Sequence, residues 1–224
     1  LLLLLLPRFL DQNSLARFES PDWPDVYDSR WKKSNIWTFN GLSANTQYYF
    51  RILGKAANNS LSYIVSNENF YTSIEASSGI TYEGVATNEM TVHSKNLPRN
   101  LNLGNSGIWF GISPATGGGL LGSGWVKNNS WTLTSLSANS PYTFSITTRN
   151  GDNKERDPYS ETKYTSVESP LGAVYEVTPE SITIHSSNEP TNITFGISGI
   201  LFEKLGPGGI ASSEINPWRQ SNTF

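Results

Sequence analysis

Trp125-Val126-Lys127-Asn128-Asn129-Ser130-Trp131 is the stretch on which the fold turns, because a version of it occurs three times. Upstream it is matched by Trp31-Lys32-Lys33-Ser34-Asn35-Ile36-Trp37, and downstream by Trp218-Arg219-Gln220-Ser221-Asn222-Thr223-Phe224, at steps of 94 and 93 residues. Working outward, Leu42 to Phe50 (LSANTQYYF) returns as Leu136 to Phe144 (LSANSPYTF), and Tyr71 to Glu75 (YTSIE) returns as Tyr164 to Glu168 (YTSVE). Met90 to Ser94 matches Ile182 to Ser186, and Ser106 to Phe110 matches Ser198 to Phe202. A period this long is a whole domain, whereas a solenoid unit needs its neighbours to close a core.

With the boundary set between Glu75 and Ala76, residues 76–169 form one complete repeat. Residues 1–75 carry the later part of a preceding repeat and residues 170–224 the earlier part of a following one. Both termini are expected to cut through a domain. The two end pieces duplicate the middle of the unit, so neither supplies what the other lacks, and head-to-tail strand exchange is not expected. Leu1–Leu6 are too few to cross a bilayer and run straight into Pro7 and Arg8, so the leucines are read as extraneous to the repeat.

Within the complete repeat, apolar and polar residues alternate at period two: Met90 and Val92, Ile108 and Phe110, Trp131 and Leu133, Tyr142, Phe144 and Ile146. Turn signals separate these segments, among them Pro98 and Gly104, Pro114 with Gly117-Gly118-Gly119, and Asn150-Gly151-Asp152. About seven short strands per repeat suit an antiparallel sandwich in which each sheet buries one face against the other. Composition agrees. Of 224 residues only 16% are charged, against roughly 25% in an average domain, while 12% are aromatic. A net charge of -3 offers no electrostatic footprint for nucleic acid or anionic lipid. Zero cysteines exclude a disulfide scaffold and thiolate chemistry.

These residues resemble the fibronectin type III family, in particular the tandem repeats of large bacterial secreted or cell-surface proteins, over essentially the whole chain. The most specific part is the family pattern Leu-x-Pro-x-Thr-x-Tyr. It is matched by Leu42, Thr46 and Tyr48 and by Leu136, Ser140 and Tyr142, with Ala44 and Ala138 at the proline position. The resemblance implies an all-β chain of tandem immunoglobulin-like antiparallel β-sandwiches, in which Tyr48 and Tyr142 form tyrosine corners whose phenols bond back to the chain a few residues upstream. The chain departs from the family where a core tryptophan is usual, since Ser94 and Ser186 stand there. Trp109, Trp125 or Trp131 is then expected to fill the core.

Trp31, Trp37, Trp125, Trp131 and Trp218 are the candidate interaction or packing aromatics. Trp125 and Trp131 flank a short turn and are expected to face each other across a hairpin, as core packing or as a platform for sugar rings. His93 and His185 share one strand position with no acidic or histidine partner at ligand or triad spacing, so they read as ordinary strand residues. Asp152, Glu155 and Asp157 fit no specific calcium loop and read as a solvated turn. Asn150 interrupts the resemblance of Arg149-Asn150-Gly151-Asp152 to an integrin-binding tripeptide. Sequons begin at Asn58, Asn128 and Asn192, and the triple glycine lacks the Lys-Ser/Thr of a phosphate loop. No catalytic, cofactor-binding or metal-ligating set emerges.

The expected role is therefore non-catalytic: a spacer, surface-layer or filament component of an extracellular or cell-surface repeat protein. Its expected partners are neighbouring repeats of the same chain and, through edge strands and weakly charged surfaces, further copies of itself. The rival expectation is an adhesive or polysaccharide-binding module using Trp31, Trp37, Trp125 and Trp131. A third is a set of accessory domains of a secreted glycoside hydrolase. Neither nucleic acid nor a membrane span is expected.

Overall fold

The computed structural model describes residues 29–65, 70–114, 121–206 and 211–215; the leucine run and Trp218 lie outside them. Two compact units are present. One comprises Leu1–Glu75 with Pro98–Ser106 and Arg149–Arg156, and the other Ala76–Leu97, Gly107–Thr148 and Asp157–Phe224. The chain crosses from one unit to the other at Glu75/Ala76 and again on either side of 98–106 and 149–156, two segments that group with the chain before Ala76.

In the first unit β1 (Gln47–Tyr48) pairs antiparallel with β4 (Phe70–Tyr71), and β2 (Arg51–Lys55) with β3 (Leu61–Val65). Seven strands follow between residues 80 and 164: β5 (Ile80–Glu83), β6 (Met90–Ser94), β7 (Gly107–Pro114), β8 (Leu121–Val126), β9 (Ser130–Leu133), β10 (Pro141–Arg149) and β11 (Tyr159–Tyr164). They form a three-stranded antiparallel sheet of order β5-β6-β9 and a four-stranded sheet of order β11-β10-β7-β8, in which β10 runs antiparallel to β11 and β7 to β8. β12 (Ala173–Val177) pairs with β13 (Ile182–Ser186), and β14 (Glu203–Leu205) with β15 (Ala211–Ile215). The fold is all-β and antiparallel.

Alternation decides which faces meet. Met90 and Val92 of β6 and Leu133 of β9 are buried on one sheet; Ile108, Phe110 and Ile112 of β7 and Phe144 and Ile146 of β10 are buried on the other. Tyr82 of β5 meets Phe144 edge-on at 5.5 Å, a contact that ties the two sheets together.

None of Trp109, Trp125 and Trp131 is fully buried as anticipated; among the described residues the largest fully buried side chains are Phe110, Phe144 and Met90. Ser94 stands where the indole was missed because its hydroxyl is occupied, 3.0 Å from Ser77 Oγ and donating to Asn96 O at 2.7 Å. Trp131 lies on the core side of β9, opposite Val92, but only half-buried. Ile182 and Tyr175, the counterparts of Met90 and Tyr82, are 61% and 66% exposed.

Backbone conformation repeats as faithfully as sequence. Left-handed residues recur in pairs at matching phases: Asn45 and Asn139 (both φ 47°), Asn59 and Asn153 (67° and 61°), Asn100 and Asn192 (54° and 57°), Gly104 and Gly196 (51° and 59°). Asparagine is the side chain best suited to this region after glycine, since its short amide finds hydrogen bonds locally.

Candidate functional site: a duplicated asparagine joint

The paired asparagines do more than turn the chain. Asn45 follows the Leu-Ser-Ala turn ahead of β1, and Asn100 sits in the loop between β6 and β7. Asn45 Nδ2 donates to Asn100 O at 2.6 Å, and Asn100 Nδ2 returns a bond to Ala44 O at 3.0 Å and another to Thr46 Oγ1 at 2.9 Å. In the second unit Asn139 Nδ2 donates to Asn192 O at 2.5 Å, and Asn192 Nδ2 to Ala138 O at 2.9 Å and Ser140 Oγ at 2.8 Å. The end of one repeat and the β6–β7 type of loop of the next thus exchange amide bonds in the same way twice.

The surrounding contacts are duplicated too. Thr72 Oγ1 donates to Ser43 O at 2.6 Å and accepts from Thr46 N at 3.0 Å; Thr165 Oγ1 donates to Ser137 O at 2.6 Å and accepts from Ser140 N at 3.0 Å. Glu75 Oε2 accepts from Arg99 N at 2.6 Å and Glu168 Oε2 from Thr191 N at 2.8 Å. The bond from Thr191 N, then that from its hydroxyl, holds the Glu168 carboxyl below the usual carboxylate range. Leu101 and Ile193, next after the clasping asparagines, are 6% and 3% exposed.

At the first joint the β10–β11 loop adds a second clasp. Gly151 N donates to Asn45 Oδ1 at 3.0 Å, Asn150 Nδ2 to Thr72 O at 3.1 Å, and Tyr71 N to Asp152 Oδ2 at 2.7 Å. The Tyr71 ring lies so close to Gly151 that a Cβ there would stand 2.4 Å from its Cε1. Asp152 is therefore part of the joint and not a solvated turn residue as anticipated. Among the described residues, no three His, Cys, Asp or Glu side chains gather to hold a metal.

Sequence reasoning passed over Asn45, Asn100, Asn139 and Asn192 as joint residues. The signal was present in Pro98-Arg99-Asn100-Leu101 and Pro190-Thr191-Asn192-Ile193, a second motif at the repeat spacing.

Of the residues singled out from sequence, Tyr48 Oη accepts from Ser43 N at 3.0 Å and Tyr142 Oη from Ser137 N at 2.9 Å, each five residues upstream. Trp125 and Trp131 do not face each other. They belong to different sheets, and Trp125 pairs instead with Trp109, its partner in β7, edge-on at 5.8 Å. This pair lies on the outer face of the four-stranded sheet. A Cβ on Gly122 would stand 2.2 Å from Trp109 Cζ2, so only glycine can floor the ring there. Trp31 and Trp37 are half-exposed, with Lys55 Nζ 5.6 Å and Lys32 Nζ 4.9 Å from their respective rings. His93 has a partner that spacing concealed: Glu83 Oε2 lies 3.2 Å from its Nε2 across the β5–β6 ladder.

No protein-family model and no curated protein matches the chain. Among solved structures it is similar to a two-domain fibronectin type III segment of chicken tenascin, at 21% identity over 56% of this chain and 68% of that one, with a TM-score of 0.42. It is also similar to domains d3–d4 of the rat CD45 extracellular region, at 13% identity over 72% of this chain and 86% of that one, with a TM-score of 0.40. No helix among the described residues is long and apolar enough to cross a membrane.

Proposed function

We propose that the chain is a non-catalytic structural segment of an extracellular repeat protein, a spacer, surface-layer or filament component, built from one complete sandwich unit at residues 76–169, the later part of another at 1–75 and the earlier part of a third at 170–224. The observation that carries this reading is the duplicated joint. An unspecific linker has no reason to repeat, within about 0.1 Å, the threonine bonds and the asparagine exchange at both positions where one unit meets the next. Each exchanged bond contributes about 0.5 to 1.5 kcal/mol net, so a joint resists pulling without adding any catalytic group. Pulling the chain by its ends in an optical trap tests this. Asn100→Ala and Asn192→Ala should lower the force of the earliest rupture events and leave the unfolding force of the β5–β11 sandwich unchanged. Identical traces for parent and variants would refute the reading.

A second reading, a polysaccharide-binding module, is favoured by Trp109 and Trp125 on a glycine floor. Flat apolar rings beside the hydroxyls of β10 suit the stacking of sugar faces. Binding to an insoluble polysaccharide that Gly122→Ala abolishes, by displacing Trp109, would support this reading. Equal retention of parent and variant would remove it.

A further inference from the structure

The chain contains two Asn-Gly dipeptides, Asn40-Gly41 and Asn150-Gly151, in opposite surroundings. In such a dipeptide the glycine nitrogen attacks the asparagine Cγ readily, because no Cβ blocks its approach. A bond forms between that nitrogen and Cγ, the C–N bond of the carboxamide breaks, and ammonia leaves with the amide proton. Water then opens the resulting cyclic imide at either carbonyl, giving aspartate or isoaspartate. Water is the only co-reactant, and nothing is oxidised or reduced.

Asn40 and Gly41 are both exposed. Asn150 is 2% exposed and held on every side. Its Oδ1 accepts from Asp152 N at 3.1 Å and Lys154 N at 2.9 Å, and its Nδ2 donates to Thr72 O at 3.1 Å and Tyr71 O at 3.4 Å. The attacking atom is tied down as well, since Gly151 N donates to Asn45 Oδ1. Each of these bonds, made where the β10–β11 loop meets the first joint, therefore also opposes a step of the reaction: rotation of the carboxamide or loss of the glycine proton.

The product does not fit the site that protected the reactant. A carboxylate at position 150 has no proton for Tyr71 O or Thr72 O, and brings negative charge against two carbonyl oxygens and beside the Asp152 carboxylate. Isoaspartate also lengthens the main chain by one carbon, next to Gly151, which the Tyr71 ring already crowds. We propose that Asn150-Gly151 is a self-modification site, kept in its amide form by the closed joint and converted, once the joint opens, to an acid that prevents reclosure. The proposal rests on the joint itself and stands whether or not the protein is extracellular.

The test is peptide mapping by mass spectrometry of the intact chain held in mildly alkaline buffer, with Asn40 as internal reference. In the native chain Asn150 should convert about tenfold or more slowly than Asn40, and in denaturant the two rates should converge. Asn45→Ala, which removes the acceptor of Gly151 N, should raise the Asn150 rate towards that of Asn40. Asp152→Ala removes only the carboxylate on Tyr71 N and serves if the first variant unfolds the unit. Chain already converted at Asn150 should be cut faster by protease in 98–106 and 149–156 than unconverted chain. Equal native rates at Asn40 and Asn150, an Asn150 rate unmoved by both substitutions, or equal cutting of converted and unconverted chain would overturn the proposal.

Discussion

A phenol oxygen that takes a backbone proton matters in proportion to the water it replaces. Tyr48 is 6% exposed and its bond from Ser43 N is partly buried, whereas the equivalent bond from Ser137 N to Tyr142 lies in solvent. Tyr48→Phe should therefore cost about 1 to 3 kcal/mol, the penalty of a stranded donor, and Tyr142→Phe no more than about 0.5 kcal/mol, because water takes over. Urea unfolding of the two variants checks the order. The tyrosines were legible in sequence because the pattern around them is dense and local. The clasping asparagines were not: Asn45 and Asn100 meet 55 positions apart, through a side-chain amide on a main-chain carbonyl, and a polar residue in a loop carries no mark of what it bonds. Ser94 pointed the other way, since a missing indole suggested a substitute indole, whereas the largest fully buried side chains among the described residues are two phenylalanines and a methionine.

Strands were readable wherever alternation was clean, as in β6 and β10. Pairing between strands was not readable at the same level, because the register that sets Trp109 against Trp125 and Glu83 near His93 is a property of two segments at once. Loops are where the elements meet their neighbours, and one of them carries a titratable hold. Glu168, at the end of the segment after β11, accepts from Thr191 N, and this bond lowers its pKa. A carboxylate depressed in the folded state contributes stability that is present above its unfolded pKa and is lost as pH falls through the folded value. The second joint should accordingly loosen only below the ordinary carboxylate range, and Glu168→Gln should remove this dependence. Hydrogen exchange at the Thr191 amide, compared between neutral and acidic buffer, reports it; an unchanged pH response in the variant counts against the assignment.

Across the whole chain, what recurs is a conformation as much as a sequence. The left-handed asparagines, the phenol bonds and the amide exchange each return after one period, so a single set of local instructions is executed more than once. One position departs from the set. Asn59 and Asn153 share their backbone turn, yet the loop before Asn59 reads Ala56-Ala57-Asn58 where the loop before Asn153 reads Asn150-Gly151-Asp152. A methyl group at the glycine position would collide with a tyrosine placed as Tyr71 is. An alanine at position 151, such as stands at 57, would therefore hold the hairpin tip off that ring, and the closeness of the fit is set by a hydrogen atom standing where a methyl group would otherwise be.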